Sequence, residues 1–288
     1  MRIAARVCGL LTVQLGYKAF DIHELLCHFI ARRCGLYNTE GLQVVLVDTN
    51  FVAAGDLPLR TFHAACGAAL DAVLRGDDYK LVFIACDRPM FWLYGRSPMQ
   101  NLDDLQARSV ATFPDAAPPA GMLASVLAEN GVGVELLPAR DDISRLGLLL
   151  NGSVCGALLS SLLLPPQVLG RDAHLITYLG DQIRLPSTGL AVRGDLFDRE
   201  PSLVATMCAV YREAMHRIYN DDDVLQCSLR EDFNLPKALL DDSVSLVRSC
   251  YNRPGTSETG LLESAARRLA AQTGAGEPPP VGQWYAPG

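Results

Sequence analysis

Several absences narrow the field before any motif is read. The 288-residue chain has nine cysteines, at positions 8, 27, 34, 66, 86, 155, 208, 227 and 250, yet no Cys-x-x-Cys pair. That spacing argues against a structural zinc site, and an odd, irregular set is no disulfide framework. Most of the cysteines sit in apolar runs and act as small hydrophobes, which suits a reducing compartment. No stretch reaches the roughly 20 apolar residues of a membrane span. The run 146–164 is interrupted by Asn151, Gly152 and Ser153. No Lys/Arg cluster with interleaved aromatics is present and the net charge is −7. Nucleic acid is therefore not an expected partner, because phosphate neutralisation needs basic patches. A Gly-x-Ser-x-Gly elbow, a Gly-x-x-x-x-Gly-Lys loop and a complete Gly-x-Gly-x-x-Gly fingerprint are all missing, and there is no internal repeat. A secretory signal is not visible either: Arg2 and Arg6 precede only VCGLLTV, and Gln14 interrupts that run. These residues are better read as the first core strand. The chain is expected to be cytoplasmic, and periplasmic if its start site is misassigned.

What is present reads as an α/β protein with 49% hydrophobic residues, enough for one large or two smaller lobes. Residues 10–15 form a buried strand. Asp21 then stands as an N-cap with Glu24 three residues on, and Ile22, Leu25, Leu26, Phe29 and Ile30 follow at helical spacing. Gly35 ends that helix and 41–47 is a second strand, so the chain opens as a parallel crossover unit. An irregular loop with Gly55 and Pro58 covers 48–59. Strands are expected over 60–65, 79–86, 90–94, 110–113, 134–137, 154–159, 175–178 and 189–192. Helices are expected over 67–74, the stretch after Pro118–Pro119 up to Asn130, 143–150, the segment after Pro201, 237–250 and 259–271. The aspartates at 221–223 read as a solvated acidic run. From 272 the composition turns to Gly and Pro, which predicts a disordered or loosely draped tail.

The order of these elements resembles the type II periplasmic-binding-protein fold. The nearest likeness is to substrate-binding proteins of nitrate, sulfonate and taurine transporters and to the related pyrimidine-precursor synthases of thiamine biosynthesis. Four segments carry it: GLYNTEGLQVVLV (35–47), DDYKLVFIACDRPMFWLYGR (77–96), NLDDLQARSVATFP (101–114) and LLLNGSVCGALLSSLLLPP (148–166). Together they lie within about 8–225. The chain departs from the family in several places. The helix between the second and third strands is reduced to the loop 48–59. The glycine after the Asp-Leu-x step is read as Arg108, and the acidic residue after Gly-x-Val as Cys155. The Cys-Cys-Cys-Phe-Cys run of the thiamine-precursor enzymes is missing, and their Lys and His fall on Ala65 and Ala68.

The resemblance implies two lobes, each with a mixed sheet, joined by two hinge crossings. Residues 1–87 with 188–271 make lobe one, 88–187 make lobe two, and 272–288 form a Pro/Gly-rich tail. Ligands in open α/β sheets bind outside the carboxyl ends of strands. That rule selects Tyr17, Lys18 and Phe20 after the first strand, and Ala65, Cys66 and Gly67 after the third. It selects Cys86, Asp87 and Arg88 at the first crossing, Thr112, Phe113, Pro114, Ala120 and Gly121 around the start of the central helix, Ser160 and Ser161 after the Gly-x-Val strand, and Thr188 near the return crossing. Helix N-termini attract anions, but Pro118 and Pro119 remove two donors here, and 109–121 contains no Lys or Arg. Tyr17 and Phe20 also read as core cover, Lys18 as solvated surface, and Thr112 and Ser160 as partners of nearby backbone. His23 with Cys27, four apart on one helical face, offers a base–nucleophile or metal-binding pair, a helix flank being the plainer reading, and His63 with Cys66 offers a second Cys–His combination.

The expected function is binding of a small organic metabolite in the inter-lobe cleft, without a cofactor or metal. The alternative is a cytoplasmic enzyme on the same scaffold that decarboxylates or desulfinates a small acid through Cys66, Cys86 or His63. A small molecule is the expected partner. Membrane insertion is not expected, and an ABC permease enters only for an exported protein.

Overall fold

The structure, a computed structural model, describes residues 9–52, 56–114 and 117–288. Arg2, Arg6, Cys8 and Gly55 lie outside the described residues, as do Asp115 and Ala116.

The chain opens with β1 (Leu11–Tyr17), α1 (Ile22–Arg33), α2 (Leu36–Thr39), β2 (Leu42–Asp48), β3 (Thr61–His63), α3 (Cys66–Leu74) and β4 (Tyr79–Cys86). It crosses once and builds β5 (Phe91–Arg96), β6 (Ser109–Thr112), α4 (Pro118–Glu129), β7 (Glu135–Pro138), α5 (Asp142–Leu150), β8 (Gly156–Ser160), α6 (Pro165–Val168), β9 (Ala173–Tyr178) and α7 (Leu179–Gln182). It returns through β10 (Thr188–Arg193) and closes with α8 (Gly194–Arg199), α9 (Pro201–Asn220), α10 (Asp222–Glu231), α11 (Leu240–Cys250), α12 (Thr259–Thr273) and α13 (Val281–Trp284).

Two five-stranded sheets result, in the orders β2-β1-β3-β10-β4 and β7-β6-β8-β5-β9. In the first, β2, β1 and β3 run parallel, and β10 is antiparallel to both β3 and β4. In the second, β7, β6 and β8 run parallel, while β5 is antiparallel to β8 and β9. Each lobe is therefore a mixed α/β sheet, the two-lobed architecture of type II periplasmic binding proteins. The two crossings run side by side: Ser187 donates its N–H to the Cys86 carbonyl and Leu185 to the Asp87 carbonyl, both at 2.9 Å. A β-bulge interrupts the β10–β4 pairing at Gly189. Its φ of 154° and the Phe83 carbonyl against its Cα leave no room for a Cβ.

Local sequence accounts for most of these elements. Asp21 caps α1 through the Glu24 N–H, and the five apolar residues spaced along the helix are all buried. α9 buries Leu203, Met207, Val210, Ala214 and Ile218, packing on α1 and on β4 of the first sheet. α4 starts on Pro118 and ends at Asn130–Gly131, where Gly131 takes φ 70°.

The acidic run at 221–223 is solvated as expected, with Asp222 and Asp223 exposed, and Asp221 accepts the Val224 N–H at 3.1 Å and opens α10. A carboxylate-rich first turn complements the helix dipole. Two expectations need correction. The tail after 272 is packed and not loosely draped. Trp284 is 1% exposed among Leu81, Ile84, Leu262 and Ala266, while Ala286 and Gly288 donate to the carbonyls of Leu81 and Val82 on the sheet-edge strand β4. Lastly, the left-handed position after the Asp-Leu-x step is Ala107, with φ 57°, not Arg108. A glycine is favoured there because it carries no Cβ to meet the neighbouring carbonyl. No described helix is long and apolar enough to cross a membrane.

Candidate functional site

Residues from the carboxyl ends of β1, β2 and β3 and from those of β6, β7 and β8 line one cavity of about 910 Å³ between the sheets. Lobe one supplies the β1–α1 turn (Lys18, Phe20, Asp21), the first turn of α1 (His23, Glu24), Thr49 and Asn50 after β2, His63 and Ala65 after β3, and the start of α3 (Gly67, Ala68). Lobe two supplies Phe91, Phe113, Pro114, the β7–α5 turn (Arg140, Asp141, Asp142), Arg145, Ser160 and Leu162. Ser187 and Thr188 close the hinge side. Gly16 keeps this wall tight, since a Cβ there would lie 2.7 Å from Thr49 Cγ2 and 3.4 Å from His63 Nδ1.

The lobe-one wall is a chain of capping contacts. Asp21 accepts the Glu24 N–H at 3.0 Å, and Glu24 in turn accepts the Lys18 N–H at 2.8 Å. Lys18 Nζ donates to the Thr49 carbonyl at 2.6 Å. Burial holds the Asp21 and Glu24 carboxyls above the ordinary carboxylate range, and the neighbouring Asp21 charge adds to the rise at Glu24. Burial also lowers His23 to about 3 and His63 to about 4, with Lys18 and Arg193 adding to the fall at His63. Both rings are therefore neutral at physiological pH, and Nε2 of each is buried without a hydrogen-bond partner. His23 stacks edge-to-face on Phe91, and Phe91 does the same on Phe113, with centroids 5.8 and 5.4 Å apart.

The lobe-two wall rests on a buried ion pair. Arg145 gives Nη2 to Asp142 Oδ1, Nη1 to the Ala139 carbonyl and Nε to the Leu158 carbonyl, each at 2.8 Å. Asp142 also accepts the N–H and the hydroxyl of Ser160, each at 2.7 Å. The Arg145 guanidinium lies 3.6 Å from the centroid of Phe113 and braces that ring against the cavity. A planar five-donor fork meets this set of acceptors; a lysine could not.

Of the seventeen expected contact residues, Lys18, Phe20, Ala65, Gly67, Phe113, Pro114, Ser160 and Thr188 line the cavity. The other nine are held elsewhere. Cys86 turns toward the Cys250 carbonyl, Arg88 pairs with Asp181, and Ala120 is buried in the first turn of α4. Tyr17 packs edge-to-face behind Phe20 at 5.8 Å, and its carbonyl accepts from Thr49. Cys66 turns into the core toward the Phe83 carbonyl, and burial raises its thiol pKa. Asp87 is tied to Arg184 at 2.6 Å between the crossings. Thr112 is fully buried, with its hydroxyl unpartnered. Gly121 faces Gln272 on another side of α4. Ser161 Oγ accepts the His23 N–H across the lobes.

The cysteine–histidine pairs do not assemble. Cys27 points at Met215, sulfur to sulfur 3.5 Å, while Cys86 donates to the Cys250 carbonyl at 2.9 Å. No described cysteine lines the cavity, and no described His/Cys/Asp/Glu group is arranged to hold a metal ion. Sequence reasoning missed Thr49, Asn50, Arg140, Asp142 and Arg145 as cavity residues. The signal was available: β2 and β7 are parallel strands too, and the strand-end rule applied to β1, β3, β6 and β8 would have reached them.

The sequence matches no protein-family model and no curated protein. Solved structures do match, over nearly the whole chain. The periplasmic aliphatic sulphonate binding protein SsuA from Escherichia coli aligns with TM-score 0.76 at 12% identity, covering 96% of this chain and 92% of that one. The alkanesulfonate-binding protein SsuA from Xanthomonas axonopodis pv. citri, bound to MOPS, aligns with TM-score 0.75 at 14% identity over 96% and 98%. A mutant of DszB in complex with biphenyl-2-sulfinic acid aligns with TM-score 0.71 at 17% identity over 96% of each chain. DszB is a desulfurization enzyme. At these identities the likeness is one of fold.

Proposed function

We propose that this protein binds a small organic molecule in the inter-lobe cleft, in the manner of a substrate-binding protein. The observation that carries this reading is the cavity of about 910 Å³ bounded by parallel-strand ends from both sheets. Ligand pockets are commonly about 300–1,000 Å³ and mostly apolar with a few polar groups. Phe20, Phe91, Phe113 and Pro114 supply the apolar surface, and His23, His63, Lys18, Ser160 and Thr188 the polar points. Residues 1–87 with 188–271 act as one lobe and 88–187 as the other, closing by a hinge at 86–90 and 185–190. Solved proteins of this fold with small organic molecules bound support the same reading. The periplasmic setting of the sulfonate-binding neighbour supports an exported protein, for which an ABC permease is the partner.

Native mass spectrometry of freshly purified protein tests the proposal, followed by thermal melts across a metabolite panel. A co-purifying small molecule, or a ligand raising Tm in a saturable way, is expected. A protein that carries nothing and whose Tm no metabolite moves would end it.

A further inference from the structure

Two helices from distant parts of the chain meet beside the hinge. α12 is rooted in the first lobe, where Leu262 and Ala266 pack with Leu70, Leu81 and Ile84. α4 is rooted in the second, where Leu123 and Val126 pack with Val110 and Leu158. Residues 265, 268, 269 and 272 of α12 recur at steps of three and four and form one stripe next to that buried face. Residues 121, 125 and 129 of α4, at steps of four, form another.

The two stripes touch. Gln272 Nε2 donates to Ser125 Oγ at 2.5 Å. Arg268 pairs with Glu129, Nη1 to Oε1 at 2.9 Å and Nη2 to Oε2 at 3.4 Å. Gly121 presents no side chain, and a Cβ there would already lie 3.6 Å from Gln272 Oε1. Ala265 and Leu269 share with Pro118, Met122 and Leu185 a gap of about 20 Å³, room for about one water molecule.

This seam adjoins the cavity. Gly67, Pro118 and Met122 line both the gap and the cavity. Leu185, on the return crossing, lines the gap as well. Rotation of one lobe about the crossings therefore moves α4 against α12. The contacts are of a kind that can be released: the Arg268–Glu129 pair is partly exposed on both sides, and such pairs contribute little singly.

We propose that α12 is a strap that holds the lobes together from outside the cleft, so that the cavity opens to a ligand only when α4 leaves α12. This rests on the reading that the lobes open at the hinge. A molecule resting on Pro118 and Met122 bears on the same helix that the strap holds, which couples occupancy of the cavity to the strap.

The experiment is hydrogen exchange by NMR on the full chain without added ligand. The probe is the His23 N–H, whose acceptor, Ser161 Oγ, lies in the other lobe. The Ala214 N–H, inside α9, reports global unfolding. Arg268→Ala combined with Gln272→Ala is expected to speed exchange at His23 about tenfold and to leave Ala214 unchanged. Ser125→Ala combined with Glu129→Ala cuts the same contacts from the other lobe and is expected to do the same. Equal acceleration at His23 and Ala214 overturns the inference, because the variants then only loosen the whole protein. Small-angle scattering separates the strap from the hinge. If Ser161→Ala expands the molecule while both strap variants leave its size and the His23 exchange unchanged, the strap is overturned and the hinge stands. If no variant changes size or exchange, both fall.

Discussion

Ser161 Oγ accepts the backbone N–H of His23 at 2.9 Å, across 138 residues of chain. It ties the turn after β8 in one lobe to the first turn of α1 in the other. Thr188 reinforces the same point by donating its hydroxyl to the His23 carbonyl at 2.9 Å. Ser161→Ala leaves that N–H without its partner, at a cost of about 1–3 kcal/mol while the lobes stay together. The variant is expected to melt lower and to show a larger radius of gyration by small-angle scattering. Identical melting and scattering would show that the contact does not hold the lobes.

Arg145 and Asp142 brace the opposite wall, almost free of solvent. Breaking one partner of a buried pair costs about 3–5 kcal/mol, because the other charge is left uncompensated. Arg145→Met should lower unfolding stability by that amount in urea. Arg145→Lys should rescue little, since a single ammonium cannot reach three acceptors in one plane. Full rescue by lysine would mean that charge alone matters there.

Ala107 sits at φ 57° with its N–H donated to the Gly133 carbonyl at 2.7 Å. Left-handed backbone costs an L-residue about 1–2 kcal/mol, and glycine gives part of that back through its freedom when unfolded. Ala107→Gly is expected to stabilise the protein by about 0.5–1 kcal/mol. A loss of stability in equilibrium denaturation would contradict this.

His28 is buried beside Tyr37 Oη at 3.2 Å, and burial, then the Arg32 charge, lowers it to about 4. Its folded pKa lies below the value near 6.5 of an unfolded histidine. As pH falls, the unfolded chain therefore takes up the proton first. Stability is intact above about pH 7 and declines from about 6.5 to 4. His23 and His63 act in the same sense. The raised Asp21 and Glu24 carboxyls act in the opposite one: their buried charge weighs on the fold at higher pH and is relieved by protonation. His28→Gln removes one histidine contribution, so its loss of stability between pH 7 and pH 5 should be smaller by about 2 kcal/mol. Parallel urea titrations at the two pH values measure it, and an unchanged difference would assign the acid sensitivity elsewhere.

Trp284 anchors the end of the chain under β4, its Nε1 donating to the Pro279 carbonyl at 3.1 Å. Trp284→Ala should cost about 3–5 kcal/mol, the range for emptying a large buried aromatic site. A variant as stable as the parent would mean that the tail lies on the sheet edge without supporting it.

The fold was legible where signals were local. A nearly unbroken apolar run marked β4, Asp21 marked the start of α1, and Gly131 marked the end of α4. The Pro/Gly-rich end was misread because composition registers missing hydrogen bonds but not a single tryptophan finding a core. The acidic run at 221–223 was legible as solvated surface, while the capping of α10 by Asp221 needed the contact with the Val224 N–H. Within the site, the strand-end rule reached Lys18, Phe113 and Ser160, whose backbone position alone brings them to the cleft. It misplaced Cys66 and Gly121, because the rule locates a turn and says nothing of which way a side chain leaves it.

The order of strands and helices, the caps that begin them and the absence of several catalytic and metal-binding motifs were legible along the chain, since each depends on residues a few positions apart. Folding settled which helix starts at the cleft are capped by carboxylates, that Cys27, Cys66 and Cys86 turn into the core, and that Ser161 meets His23. Those outcomes depend on packing between segments distant in the chain, where burial and hydrogen-bond satisfaction, not local propensity, select the partner.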